Sequence, residues 1–200
     1  METEQIILVD SRDRKVGAMG KLVAHRKGLL HRAFSIFIFN PRGELLLQRR
    51  TRRKYHSGGL WSNTCCSHPR PGETVLRAAH RRLKEEMGFD TKLKEIFSFV
   101  YKVKFLNGLI EHEYDHVLVG RFGGTPKPNP KEAEACKWIA LAALRRDIRR
   151  HPRRYSFWLQ KALPRVSRQM RLRPLPRGSG RRGLSSRQWS TLCRAIGTSY

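Results

Sequence analysis

Three short stretches of this chain hold residues whose types and spacing could do chemistry. Arg82 and Glu86 stand four apart, with Glu85 beside them. On a helix they share one face, and an arginine and an acid turned toward a loop can hold a metal ion and a phosphate together. An ordinary i,i+4 ion pair on a solvated face explains the same spacing more simply. Glu111 and Glu113 alternate with His112 and Tyr114. On a strand their carboxylates lie on one face, ~7 Å apart, where they can share a metal ion or divide acid and base roles. The segment Asn63-Thr64-Cys65-Cys66-Ser67-His68-Pro69 adds two adjacent thiols and an imidazole. Taken singly, His25, His31 and His68 are each as well explained as surface or capping residues.

These groups need elements to position them. Phe34 to Phe39 reads as an apolar strand, Asn40-Pro41-Arg42-Gly43 as a turn, and Leu45-Leu46-Leu47 as the start of the return strand. Arg49 to Gly59 is a basic loop with a Gly-Gly pair, in which Arg49, Arg52 and Arg53 read as solvated. Glu73 to Met87 is the best helix: Leu76, Ala79, Leu83 and Met87 form a stripe, and Gly88 stands where a C-terminal cap belongs. In Glu95 to Phe105, Phe97, Phe99, Tyr101, Val103 and Phe105 alternate onto one face, and Asn107-Gly108 predicts a hairpin turn. The return strand then carries Glu111, Glu113 and Asp115 on one face. Lys137-Trp138-Ile139 is a last short strand, followed by helical segments over 141–150 and 155–163. Mixed strands and helices with antiparallel hairpins predict an α+β fold, a mixed sheet sandwiched by helices.

Hydrophobic residues make up 39% of the 200, enough for one core over residues 1–164. Lys and Arg total 42 against 16 acids, a net charge of +26. Residues 165–200 hold nine arginines and no acid, and without them the rest still carries +17. This Arg-rich tail has too few apolar residues in register to fold alone and reads as disordered. Such charge suits polyanions in general and a doubly charged small molecule equally. No RNA-recognition aromatic motif, zinc-finger spacing or helix-turn-helix signal accompanies it, so no specific nucleic acid partner is predicted beyond weak, non-specific binding by the tail. No run approaches the ~18 apolar residues of a membrane span, the N-terminus lacks signal-peptide features, and four cysteines form no disulfide framework. A cytoplasmic monomer with reduced thiols is expected.

The positions Glu73, Arg81, Leu83, Glu85, Glu86, Gly88 and Phe89 resemble the Nudix box: glycine, five residues, glutamate, seven residues, then R-E-hydrophobic-x-E-E-x-G-hydrophobic. Two positions depart from it. Ser67 replaces the opening glycine, and Arg82 stands where a Nudix hydrolase has a glutamate of its metal cluster. The second departure argues against diphosphate hydrolysis and for holding a diphosphate. The Asn63–Pro69 segment and Glu111-His112-Glu113 are similar to the N-x-x-C-x-H-P and E-x-E segments of type 1 isopentenyl diphosphate isomerases, over roughly residues 3–163.

That resemblance implies a Nudix-like fold and the conversion of isopentenyl diphosphate to dimethylallyl diphosphate, by adding a proton to the alkene and removing another through a carbocation. It implies Cys66 as the catalytic thiol, Glu113 as the catalytic carboxylate and Tyr101 as an aid to proton transfer. By the same resemblance His25, His31, His68, Glu111 and Glu113 hold a tightly bound divalent ion, Mn²⁺, Zn²⁺ or Mg²⁺. Lys21, Arg50, Lys54 and Arg82 match diphosphate-binding positions. Glu86 matches a carboxylate for a Mg²⁺ that bridges to the phosphates, and Trp158 an indole that faces the developing cation. The stretch from His25 to His31 is about one residue shorter than usual for the family. The rival expectations are a Nudix diphosphohydrolase acting on nucleotides and, from another class, a basic nucleic-acid-binding protein.

Overall fold

A computed structural model describes residues 4–172. In chain order these form β1 (Gln5–Val9), β2 (Lys15–Gly20), α1 (Lys21–Lys27), β3 (His31–Phe39), β4 (Glu44–Arg50), β5 (Trp61–Ser62) and β6 (Cys65–Ser67). They continue with α2 (Val75–Met87), β7 (Leu93–Lys104), β8 (Ile110–Arg121), β9 (Ala133–Ala140), α3 (Leu141–Arg150) and α4 (Phe157–Leu172).

The organising strand is β3, apolar from Ala33 onward except at Ser35 and buried on both faces, as strands covered from two sides must be. Strand alternation divides its side chains. Phe34, Ile36 and Ile38 join Leu46 and Leu118 against α2, whose Ala78, Ala79, Leu83 and Met87 face inward. Phe37 and Phe39 join Leu45, Leu47, Val117 and Val119 against Leu159, Leu163 and Val166 of α4. The result is a mixed sheet between helices, as the pattern of elements predicts.

Along one edge β3 pairs in parallel with β8, from His31↔Glu113 to Phe39↔Arg121, and β8 pairs antiparallel with β7. The other edge is shared: β1 meets it at His31, β6 at Phe34 to Ile36, and β4 at Phe39. The face that is apolar under α4 thus becomes polar toward the start of β3. There His31 lies beside Glu113, Tyr101 is opposite Glu113, and Ser35 is opposite Cys66.

The strand, turn and return strand expected over 34–47 form as β3, the Asn40–Gly43 turn and β4, but the pairing between the strands is brief. The two strands share only the Phe39↔Leu45 pair, after which β4 turns to β9. The gap is closed by Thr64, whose hydroxyl accepts from Ile38 N at 3.0 Å and donates to Leu46 O at 2.7 Å. The helix expected over Glu73–Met87 begins at Val75, because Thr74 caps it by accepting from Arg77 N. Glu73 instead takes a two-pronged hydrogen bond from Arg81, at 2.7 Å on each oxygen. The last helical segment, expected over 155–163, runs further. α4 runs through Pro164 to Leu172, since Leu159, Leu163, Val166 and Met170 continue one apolar stripe past the proline. The remainder of the tail, 173–200, lies outside the described residues. The β1–β2 hairpin and α1 had no strong signal in the sequence.

Gly88 closes α2 in the left-handed conformation, φ 74°, and a Cβ there would stand 2.7 Å from Lys127 O. Backbone strain and a backbone clash add, so Gly88→Ala should lower unfolding free energy by about 2 kcal/mol or more. Urea unfolding is the check; an unchanged midpoint would mean that the Lys127 segment gives way freely.

Candidate active site

The polar end of the sheet opens into a pocket lined by charged and aromatic side chains, among them Arg50, Cys66, Tyr101, Glu113 and Trp158. His56 and His68 line it, and further imidazoles lie buried behind its wall. His25 on α1 and His31 at the start of β3 are fully buried. Their Nδ1 atoms lie 2.7 Å from Lys21 O and 2.8 Å from Leu29 O. A carbonyl can only accept, so each Nδ1 carries the hydrogen and each Nε2 presents a lone pair. Neither Nε2 has a hydrogen-bond partner. The ligand atoms of His25, His31, His68 and Glu113 lie within 4.8 Å of one another. Burial, with the neighbouring His31, lowers His25 to about 4, and burial lowers His68 to about 3 despite Glu113. Neutral imidazoles with orphaned, converging lone pairs fit a divalent ion.

The predicted ligand set is not brought together as one group. Glu111 instead groups with His25 and with His56, a residue the sequence reading left within a basic loop. Glu86 belongs to neither group among the described residues: its carboxylate accepts from Arg82 Nη2 at 2.6 Å and from Gln48 Nε2 at 3.0 Å.

Tyr101 links the two strand carboxylates. Its hydroxyl is 2.6 Å from Glu113 Oε2 and 3.1 Å from Glu111 Oε2. One phenolic hydrogen cannot serve both, and the shorter contact takes it. Burial and the Glu113 charge push Glu111 well above the usual carboxylate range. Burial also opposes ionisation of Glu113, but the His68 and His31 imidazoles, with Nε2 at 3.1 and 3.7 Å from Oε1, hold it low. A protonated Glu111 can then donate to the Tyr101 oxygen, completing a chain from Glu111 through Tyr101 to Glu113. Ser35 donates to Asp115 at 2.8 Å behind them.

Cys66 enters the same pocket from β6, on the other side of β3 from Glu113. Enclosure pushes its thiol up to about 12, although the Arg50 guanidinium, with Nη1 3.8 Å from Sγ, pulls it down. Cys65 alternates to the opposite face and packs in the core against α2. Only one of the adjacent thiols therefore faces the pocket.

Lys21, Arg50, Lys54 and Arg82 all line this pocket. Each has an acidic or aromatic neighbour. Lys21 pairs with Glu4 at 3.0 Å, Lys54 with Glu132, and Arg50 lies 5.2 Å from the Trp158 ring centre. Arg82 donates to Glu85, Glu86 and Glu132 at 2.6, 2.6 and 3.1 Å. Its guanidinium thus stands among the acids of the box. Trp158 is held by a 2.9 Å hydrogen bond from Nε1 to Ser62 Oγ. Sequence reasoning missed Glu132, Ser62 and His56, because no local pattern connects them to the box.

A NUDIX-domain family model matches residues 29–159, so the fold and the box define a Nudix protein. Solved structures agree on the fold: a Deinococcus radiodurans protein aligns with TM-score 0.69 at 23% identity, over 81% of this chain and 98% of that one. A MutT NUDIX hydrolase from Burkholderia pseudomallei aligns with TM-score 0.56 at 24% identity, over 68% and 98%. Two sequence relatives are nearer. The isopentenyl-diphosphate Delta-isomerase 2 of Aromatoleum aromaticum is 59% identical, over 82% of this chain and 86% of its own. The isopentenyl-diphosphate Delta-isomerase of Burkholderia multivorans is 50% identical, over 82% and 93%. The chain belongs to the isopentenyl-diphosphate Delta-isomerase family.

Proposed function

We infer that the chain converts isopentenyl diphosphate to dimethylallyl diphosphate, with Cys66 and the Tyr101–Glu113 pair exchanging the protons. The observation that carries this reading is the placement of the two groups in one pocket, Cys66 from β6 and Glu113 from β8 on either side of β3. Enclosure favours the protonated thiol, and the neighbouring imidazoles favour the ionised Glu113. A double-bond transposition adds one proton and removes another, so an acid and a base must meet the same five-carbon unit. Net proton count is unchanged, and the pair is restored to work by proton return. Trp158 walls the pocket beside them, and its ring suits a transient carbocation.

The diphosphate end falls to Lys21, Arg50, Lys54 and Arg82, whose acid partners they exchange in part for phosphate oxygens. His25, His31, His68, Glu113 and Glu111 would hold the tight ion, Mn²⁺, Zn²⁺ or Mg²⁺, and Glu86 a Mg²⁺ carried in with the diphosphate. When bound, the tight ion supplies positive charge that favours ionised carboxylates and fixes their orientation. Arg82 occupies the place of a box glutamate and neutralises Glu85 and Glu86, which disfavours hydrolysis of the diphosphate. No helix among the described residues is long and apolar enough to cross a membrane, and the working unit is read as a monomer.

The test is direct. Purified protein with Mg²⁺ should produce dimethylallyl diphosphate, followed by phosphorus or proton NMR, and prolonged EDTA treatment should stop it until a divalent ion is returned. Release of inorganic phosphate from nucleotides, with no isomerisation, would replace this reading by the hydrolase one.

A further inference from the structure

His56 stands in the loop between β4 and β5, and its placement is constrained by the backbone. The next residue, Ser57, is a non-glycine in the left-handed region, φ 52°. Gly58 packs so tightly that a Cβ would lie 2.7 Å from Arg52 O. The loop is pinned at its base by Arg50 N to Leu60 O and Gly59 N to Arg50 O, at 3.0 and 2.9 Å. The His56 carbonyl accepts from Arg50 Nη2 at 3.4 Å. Left-handed backbone at a non-glycine residue persists where its surroundings over-determine it, and such outliers cluster at functional sites.

The ring is equally constrained. It stacks on Phe105 at 4.7 Å and 8°, with Trp158 edge-on at 6.0 Å. His56 is only 6% exposed. Its Nε2 lies 3.0 Å from Glu111 Oε1, yet forms no aligned hydrogen bond there or elsewhere. A buried ring nitrogen without a partner costs free energy, and packing alone gives no reason to aim it at a carboxylate. His25 Nε2, also without a partner, lies within 4.8 Å of both ligand atoms. Three donors from α1, the β4–β5 loop and β8 therefore converge on one point.

We propose that His56 is a direct ligand of the divalent ion, binding it together with His25 and Glu111. His25 is shared with the group of His31, His68 and Glu113, so His56 adds one imidazole to the ligands the family resemblance implies. This rests on the metal-dependent reading above and extends it. An additional imidazole shifts preference toward Zn²⁺, Co²⁺ and their neighbours and away from Mg²⁺, which favours oxygen ligands.

The experiment uses the full chain and three variants: His56→Ala, His56→Phe, which keeps the stack on Phe105 without a donor, and His56→Gln, which keeps an N–H near Glu111. Zn²⁺ and Co²⁺ affinities are measured by competition with a chelator, and the Co²⁺ absorption spectrum is recorded. His56→Ala and His56→Phe should each weaken both ions by about tenfold or more, and the Co²⁺ bands should change in position and intensity. Should His56→Ala fail to fold, His56→Phe decides. Unchanged affinity and spectrum in the donorless variant would overturn the assignment. Full recovery of affinity in His56→Gln would do so too, making His56 a positioning residue for Glu111. If the unmodified chain itself bound neither ion and isomerised without one, the metal-dependent reading would fail instead, which is a separate outcome.

Discussion

Cys66→Ala is expected to lower turnover of isopentenyl diphosphate at least about a hundredfold, the lower end of what a positioned proton-transfer group contributes. The substitution removes one sulfur at the pocket wall and a single long contact, Arg50 Nη1 to Sγ at 3.8 Å, while Arg50 Nη2 keeps its hydrogen bond to the His56 carbonyl. The core thiol is Cys65, which stays. Thermal unfolding should therefore shift little, and the affinity for inorganic pyrophosphate should remain within a few-fold, since Lys21, Lys54 and Arg82 are untouched. The effect belongs in kcat. Cys66→Ser keeps the shape but replaces the thiol with a far weaker acid, so it should resemble alanine in rate more than the parent. Residual activity within tenfold of the parent in Cys66→Ala would remove the thiol from the mechanism.

Glu113→Gln should be the more damaging change, because more depends on that carboxylate. It accepts from Tyr101 at 2.6 Å and meets His68 Nε2 at 3.1 Å, with His31 Nε2 at 3.7 Å. The amide has nearly the same volume but only one acceptor oxygen, and it cannot take a proton from an alkyl carbon. Turnover should fall by about 10³-fold or more, and the metal content of the isolated protein should drop with it. Elemental analysis beside the rate measurement separates two roles. Full metal occupancy with no activity would make Glu113 a proton-transfer group outside the ion's shell. Normal activity with normal metal would dismiss it from both.

The two variants divide the site along the strand that joins its halves. Cys66 comes from β6 and Glu113 from β8, and β3 runs between them, hydrogen-bonded to both. A core change in β3 that shifts this register, unlike either substitution, should impair rate and stability together.

Much of this arrangement is written locally in the chain. A helix places Arg82 and Glu86 on one face because they stand four apart, and they meet at 2.6 Å. A strand places Glu111 and Glu113 on one face because side chains alternate, and Tyr101 reaches both. Asn107-Gly108 turns β7 into β8 for a backbone reason that two residues suffice to state. Cys66 and Cys65 part to pocket and core by the same alternation. These are short-range rules, and the residues obeying them are neighbours in sequence.

What required the tertiary structure is which elements lie side by side. β3 is apolar on both faces from Ile36 to its end, so its own pattern names no partner. It pairs in parallel with distant β8, and that register is what sets His31 beside Glu113. It shares its other edge among β1, β6 and β4, which is why the expected hairpin with β4 opens after one pair. α4 passes its proline because burial of Val166 and its neighbours against the sheet outweighs one missing backbone hydrogen bond. His56 looks like part of a solvated basic loop until the fold seats it 3.0 Å from Glu111. Backbone period is a property of each segment, whereas proximity between segments is decided by which apolar faces can be buried together, and that is settled only when the whole core closes.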